Sequence, residues 1–323
     1  MMNTRNISVG GASALHRYIE WVAVEQFKLK SFLYGMGTKR TLKNGDHQYS
    51  FPIMNRTVFT PTQATLVEWV TPESTNVGFN QVTVDMVQYG ISATITDLAV
   101  KDSPIDMYTY AWKELGRQMA EIVDQVVQTE LLTLDNTTQT QVMYSAIRAS
   151  RSAITATDYV KSSYFAQANS VLKSKWAVEI DTWYVAVTHP LVIADLLTET
   201  GSTTAGFFEA AKYSQPEKIF NGELGKMFGI RFVESPNLRP ISVTNGTTFN
   251  VYPTFIVADE AYGIVESQAM ETIIKPIGSS GVSDPLNQRG SVSLKTRFWV
   301  KILKPEANFR IETPVSVAPT LPY

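Results

Sequence analysis

The sequence predicts an α+β fold, and three observations predict it. One stretch, 104–134, carries a long amphipathic helical period. Another, 48–98, alternates apolar and polar residues as extended chain does. From 157 onward, helical and strand-like segments alternate, and the chain ends on two strand-like runs.

Taken in order, residues 14–34 have helical spacing, with Leu15, Ile19, Val22 and Phe27 on one face. GMGTKRTLKNGD follows and reads as turns. QYSFPIMNRTVF alternates and contains Pro52, which suits an edge strand. TPTQATLVEWVTPESTNVG has no helical period. QVTVDMVQYGISATITDLAV alternates through Val82, Val84 and Met86, then through Ile91, Ala93 and Ile95. The expected shape is a long hairpin-like excursion and a strand returning to the core. Its Phe51, Phe59, Leu66, Trp69 and Phe79 are too many for a thin ribbon to bury against itself, so the ribbon is expected to lie on something else.

The strongest helix signal is 104–134. Ser103 is the expected N-cap, Pro104 the first helical residue and Asp106 the capping partner. Tyr108, Trp112, Leu115, Met119, Ile122 and Val126 fall on one face. A helix of this length, about 45 Å, suits a spine crossing a flat subunit. After a Thr/Ser-rich segment (133–157), DYVKSSYFAQANSVLKSKWA reads as helix, TWYVAVTHP as a buried strand and HPLVIADLLTE as helix. GIRFVES and YPTFIVAD read as strands separated by the turn-rich NLRPISVTNGTTFN. VSLKTRFWVKILKP and ANFRIET read as a terminal pair of strands.

Composition narrows the function. The chain has 323 residues, 44% hydrophobic and only 18% charged. Such a surface, polar through Thr, Ser, Asn and Gln, suits being covered by a partner. A net charge of −2 argues against a dedicated nucleic-acid binder. The first fifty residues are nonetheless basic: Arg5, Arg17, Lys28, Lys30, Lys39, Arg40 and Lys43 stand against Glu20, Glu25 and Asp46. Cysteine is absent, which removes disulfides, thiolate metal sites and cysteine nucleophiles. No apolar run matches a signal peptide or a membrane span, so a cytoplasmic protein with no membrane partner is expected.

No catalytic motif emerges. His16, His47 and His189 are far apart, and none has a partner at metal-ligand spacing. His189, before Pro190, reads as a turn residue. GMGTKR lacks the spacing of a phosphate loop, and no Gly-x-Ser-x-Gly elbow occurs. Asp97, Asp102, Asp106 and Glu114 read as capping and dipole compensation, with a cation site as the sharper alternative. No enzyme activity, cofactor or metal is implied. The residues describe a building block of an assembly.

Four ordered stretches go further: QVTVDMVQYGISATITDLAVKDSP (81–104), ELGRQMAEIVDQVVQTELL (114–132), AAKYSQPEKIFNGELGKMFGIRFVES (210–235), and VYPTFIVADEAYGIVES through IGSSGVSDPLNQRGSVSLKTRF (251–298). In them the chain resembles the major capsid proteins of tailed bacteriophages, which adopt the HK97-like fold, and within these the coat proteins of the phage N-four type. The resemblance implies an N-terminal arm (1–44), an extension loop (45–85), a peripheral domain containing the spine helix (86–155 and 283–323) and an axial domain (156–282). It implies pentamers and hexamers closing an icosahedral shell round double-stranded DNA, assembled in a bacterial cytoplasm. A separate scaffolding protein, a portal and a decoration protein are the expected partners. A cleaved leader is not expected, since no long segment precedes the arm.

The loop's Phe51, Phe59, Leu66 and Trp69, with Asp284 and Arg289 of DPLNQRGS, are the expected subunit-interface residues; burial against its own subunit is the alternative for Trp69, and a local Asp–Arg turn for the last two. Lys28, Lys30, Lys39, Arg40 and Lys43 are the expected DNA-facing residues, an intersubunit arm being the alternative. Some members of the fold lock the shell with a bond between a loop lysine and an asparagine. The loop here has Arg56 and no lysine, so a non-covalent shell is expected. The rival readings are a nanocompartment shell with protein cargo and a monomeric enzyme with a deep pocket.

Overall fold

The computed structural model describes residues 31–42, 48–54, 78–104, 106–134, 141–198, 226–279 and 284–316, with positions 60, 62, 65, 66, 68 and 69. The helix expected over 14–34 lies outside them up to residue 30, as do Lys28, Lys30, Lys43 and Phe59.

The described chain opens with a short helix, α1 (Leu33–Met36). It runs into strand β1 (Thr38–Thr41), where the sequence suggests turns. Four polar residues carry no strand period, and their pairing comes from a distant partner, β11 (Tyr262–Lys275), alongside which β1 runs parallel. Gly37 permits the approach: a Cβ there would lie 2.6 Å from the Tyr262 ring.

Strands β2 (Gln48–Met54) and β3 (Phe79–Asp85) form an antiparallel ribbon, registered from Gln48 opposite Asp85 to Met54 opposite Phe79. Pro52 is tolerated because β2 pairs on one side only. The ribbon does lie on something, and at its base that is its own subunit. Phe51 and Val84 pack with Leu42 and Val265 in a small cluster.

β4 (Val87–Thr96) and β12 (Arg289–Ile302) complete a four-stranded sheet in the order β1-β11-β12-β4. β12 is antiparallel to both neighbours. Its alternate residues Val292, Leu294, Phe298 and Val300 are buried. A short helix, α2 (Asp97–Asp102), leaves β4, capped by the Thr96 hydroxyl, which accepts from Ala99 N.

The spine is α3 (Met107–Leu131), 25 residues and about 37 Å long. Its N-cap is Asp106, not Ser103: the Asp106 carboxylate accepts from Tyr108 N and Thr109 N. Ser103 instead closes α2, donating its N–H to Ala99 O. A short helix and the spine meet where the sequence read one start. Trp112, Leu115 and Met119 are buried as expected. The stripe then advances by fours to Val123, Val127 and Leu131, leaving Ile122 and Val126 at its margin. This face packs on β12.

The second sheet has the order β5-β13-β10-β6-β8-β7, with β9 on β10. Its strands are β5 (Val142–Tyr144), β6 (Tyr184–Thr188), β7 (Lys226–Met227), β8 (Ile230–Glu234), β9 (Ile241–Asn245), β10 (Thr247–Val257) and β13 (Asn308–Pro314). Helices α4 (Ser162–Ser174) and α5 (Pro190–Leu197) accompany it, close to their expected places. The turn-rich segment between β8 and β10 contains β9, joined to β10 by a hairpin at Gly246, whose φ is +74°.

The terminal strands β12 and β13 do not pair: they belong to different sheets. Consequently the sheets do not follow the expected division at 156 and 282. β11 belongs with β4 and β12, and β13 with β10. One hydrophobic core, with Trp112 and Leu131 of α3, Phe298 of β12 and Phe255 and Phe309 of the second sheet, joins them.

Candidate assembly surface

The ribbon contrasts most sharply along its length. At the base, Phe51 is 5% exposed, and its ring fills the space a side chain at Gly263 would need: a Cβ there would lie 2.6 Å from Phe51 Cζ. Phe51 therefore offers little surface to a neighbour. Its apolar area is consumed by Leu42, Val84 and Val265 of its own chain. Further out, Leu66 is 76% and Trp69 is 97% exposed. Trp69 also has φ +69°, a left-handed conformation that disfavours a bulky side chain.

The DPLNQRGS turn resolves towards the local alternative. Asp284 is buried, and its carboxylate accepts from Arg289 N at 2.6 Å. It closes the turn before β12. The contact runs to the Arg289 backbone, not its guanidinium, and Arg289 is exposed. Beside it Leu286 is 74% exposed. Of the basic arm, Lys39 and Arg40 lie exposed on β1, and Lys39 Nζ sits 4.2 Å from the centre of the Tyr34 ring.

Among the further outward apolar side chains that sequence reasoning missed are Ile147, Trp176 and Phe228. Each has a left-handed backbone, with φ of 56°, 59° and 48°. Ile147 follows Ala146, itself at 54°, just past β5 at one edge of the second sheet. Phe228 occupies the β7–β8 turn at the other. The only sequence signal is Phe228 before Gly229, a two-residue turn in which Asn-Gly would be expected. For Ile147 and Trp176 no signal exists, since φ is fixed by the surroundings.

Charged groups inside the subunit are committed to its structure. At the end of α3, Arg310 Nη1 donates to the carbonyls of Leu131 and Leu132, at 3.2 and 2.8 Å. This satisfies helix-terminal acceptors and places a cation at the negative end of the dipole. Glu312, fully buried, stands 2.9 Å from Arg310 Nε and accepts two hydrogen bonds of 2.6 Å from Arg151. Burial pushes the Arg310 guanidinium down from its ordinary value, and Glu312 opposes it. Hydrogen bonding to Glu312 pushes Arg151 up.

His189 is the N-cap of α5: its Nδ1 accepts from Leu191 N at 3.2 Å. Asp97 pairs with Lys101 and Glu114 with Arg117. Among the described residues, no group of three His, Asp or Glu side chains could hold a metal ion. A surface cavity beside Trp176, lined by Lys175, Asp259, Glu260 and Glu306, holds about 70 Å³. That is small beside the several hundred Å³ of ordinary ligand pockets. No helix among the described residues is long and apolar enough to cross a membrane.

A spine helix laid on a four-stranded sheet, a ribbon carried out from that sheet and a second sheet joined through a common core define the class: an HK97-like capsid subunit. Residues 80–311 match the family model described as phage capsid protein, and the chain belongs to that family. No curated protein matches the sequence. Solved structures place the fold. The capsid of Ralstonia phage GP4 is similar at a TM-score of 0.68 and 15% identity, over 91% of this chain and 93% of that one. The capsid of cyanophage Pam1 gives 0.65 at 13% identity, over 87% and 89%. The capsid of cyanophage P-SCSP1u gives 0.61 at 14%, over 87% and 88%. The chain is thus a structural protein, a major capsid protein that forms the virion shell.

Proposed function

We propose that the shell closes through pentamers and hexamers around double-stranded DNA, and that the ribbon tip, with Leu66 and Trp69, is an anchor between neighbouring subunits. The observation that carries this is Trp69, 97% exposed on a left-handed turn beyond a ribbon base that is already packed. An isolated subunit gains nothing from holding an indole there. A neighbour that buries it gains one of the side chains most enriched at interface centres. Rotational closure of one such contact gives rings, and repetition over the shell turns modest contacts into a stable particle.

Arg289 is a second interface candidate, exposed beside Leu286. The basic arm, Lys28, Lys30, Lys39, Arg40 and Lys43, faces packaged DNA, where neutralising phosphate needs no base sequence. A separate scaffold, a portal and a decoration protein complete the assembly, which takes place in the host cytoplasm. The arm, the extension loop and the peripheral and axial domains divide these roles, with β11 and β13 crossing between the last two. The loop has no lysine, so the shell is held without covalent cross-links.

Light scattering and negative-stain microscopy of the purified protein, with and without the phage's other structural proteins, test the reading. Closed shells or rings are expected, and absorbance at 260 nm then reports DNA. A monomer under every condition would overturn it. Boiled particles should run as a single band on an SDS gel. A ladder would refute the non-covalent shell.

A further inference from the structure

Towards its C-terminal end α3 buries three polar side chains, and two of them, Asp124 and Gln128, lie one turn apart beside Met119, Val123, Val127 and Leu131. A helix packing on a sheet does not need them there. Apolar residues would form and bury that face at lower cost, because burying a carboxylate is expensive unless donors surround it.

The donors come from far away in sequence. Asp124 Oδ2 accepts from Phe32 N at 3.0 Å, and Oδ1 accepts from Tyr34 N at 3.1 Å. Oδ2 also accepts from Asn237 Nδ2 at 3.1 Å. Gln128 holds the same distant loop from both sides: its Nε2 donates to Arg239 O at 2.7 Å and its Oε1 accepts from Arg239 N at 3.0 Å. Burial pushes the Asp124 carboxyl up from its ordinary value, and the N–H groups of Phe32 and Tyr34 with the Asn237 amide pull it back. The carboxylate is therefore held at the point where the N-terminal arm meets the subunit. Other ties converge there. Tyr262 donates its hydroxyl to Leu33 O, Tyr34 bonds Glu266, and Leu33 is fully buried.

We propose that Asp124 is the positioning residue of the N-terminal arm: it fixes where, and in what direction, residues 1–30 leave the subunit, and so which part of a neighbouring copy they reach. Gln128 supports it by fixing the 237–239 segment against the same turn of α3. The inference rests on the shell reading, since an arm needs a defined departure point only if it meets another copy.

Hydrogen exchange on the soluble full-length chain, with particle closure measured in parallel, tests it. Asp124→Asn keeps the side-chain shape but turns an amide towards the donors. Exchange at the Phe32 and Tyr34 amides should accelerate about tenfold or more, as expected for the loss of hydrogen bonds to a charged group. Amides in β10 and β12 should change less than about twofold, because opening there is governed by the core. Tyr262→Phe, which removes a tie from outside the spine, should loosen the same two amides. Both variants should raise the fraction of open or misclosed particles, and deleting residues 1–30 from Asp124→Asn should add no further defect. Unchanged protection at Phe32 and Tyr34 would overturn the proposal. So would a uniform rise across all strands, which marks a merely structural role, or normal closure despite a loosened arm. If the unmodified chain forms no shells, the shell reading fails with it, and exchange alone then decides whether Asp124 holds the arm.

Discussion

The base and the tip of the β2–β3 ribbon have similar residues and opposite fates. Phe51 at the base finds Leu42, Val84 and Val265 within its own chain, and a glycine at 263 makes room for the ring. Trp69 at the tip is almost wholly exposed on a backbone that an aromatic residue disfavours. The ribbon is a lever whose fulcrum is complete inside the subunit and whose end is not. That division separates side chains that serve folding from side chains that serve assembly.

Truncation at the base should have the largest effect. Phe51→Ala removes the largest buried side chain of a four-residue cluster and should destabilise the isolated subunit by about 3 kcal/mol, read by urea unfolding. Gly263→Ala attacks the same contact from beneath, placing a methyl where the ring lies, and should cost about 1–3 kcal/mol. A variant at either position that keeps full subunit stability but fails to assemble would erase the distinction between base and tip.

The tip should respond with opposite signs. Trp69→Gly relieves a left-handed residue, so the isolated subunit should unfold no earlier than the parent and gain up to about 1 kcal/mol. Assembly should suffer: losing an interface anchor worth about 2 kcal/mol raises the concentration needed for shells about 30-fold. Ile147→Gly offers the same paired test at the edge of the second sheet. Shell formation at the parental concentration would show that the exposed side chain is not an anchor. Loss of subunit stability would show that its contacts are internal.

Much of this was legible in the sequence, and the gaps have physical causes. Periodicity finds elements whose burial is one-sided. The spine, α4 and α5 were readable, as was the alternation of β3 and β4. It fails where pairing is supplied from a distance. Thr38–Thr41 has no strand pattern of its own and becomes a strand because the edge of β11 accepts it. β12 and β13 look like a pair because they are adjacent in sequence, yet Pro305–Ala307 turns the chain between two sheets. The interface residues divide the same way. Aromatic content marked the ribbon, but only the fold separates Phe51 from Trp69. The role of Asp124 was not legible, because two of its donors are the backbone N–H groups of Phe32 and Tyr34 and the third, Asn237, lies over a hundred residues away.

The smallest expected effect tests the complete side of the comparison. His189 caps α5 through Nδ1 with its ring 4.6 Å from that of Tyr252, and burial pushes its pKa down from the ordinary 6.5. The folded state therefore takes up the proton less readily than the unfolded chain. The stability this residue contributes is present above about pH 6.5 and is lost as pH falls below it. Protonation also removes the acceptor for Leu191 N and sets a cation at a helix N-terminus. Between pH 7.5 and 5.0 the parent should lose more stability than His189→Asn, which caps without titrating. Because the site is closed within the subunit, the difference should be the same in free subunits and in shells dissociated and remeasured at each pH. Equal pH slopes for the two proteins would remove His189 as the source. A difference present only in shells would place the residue on the assembly side of the molecule after all.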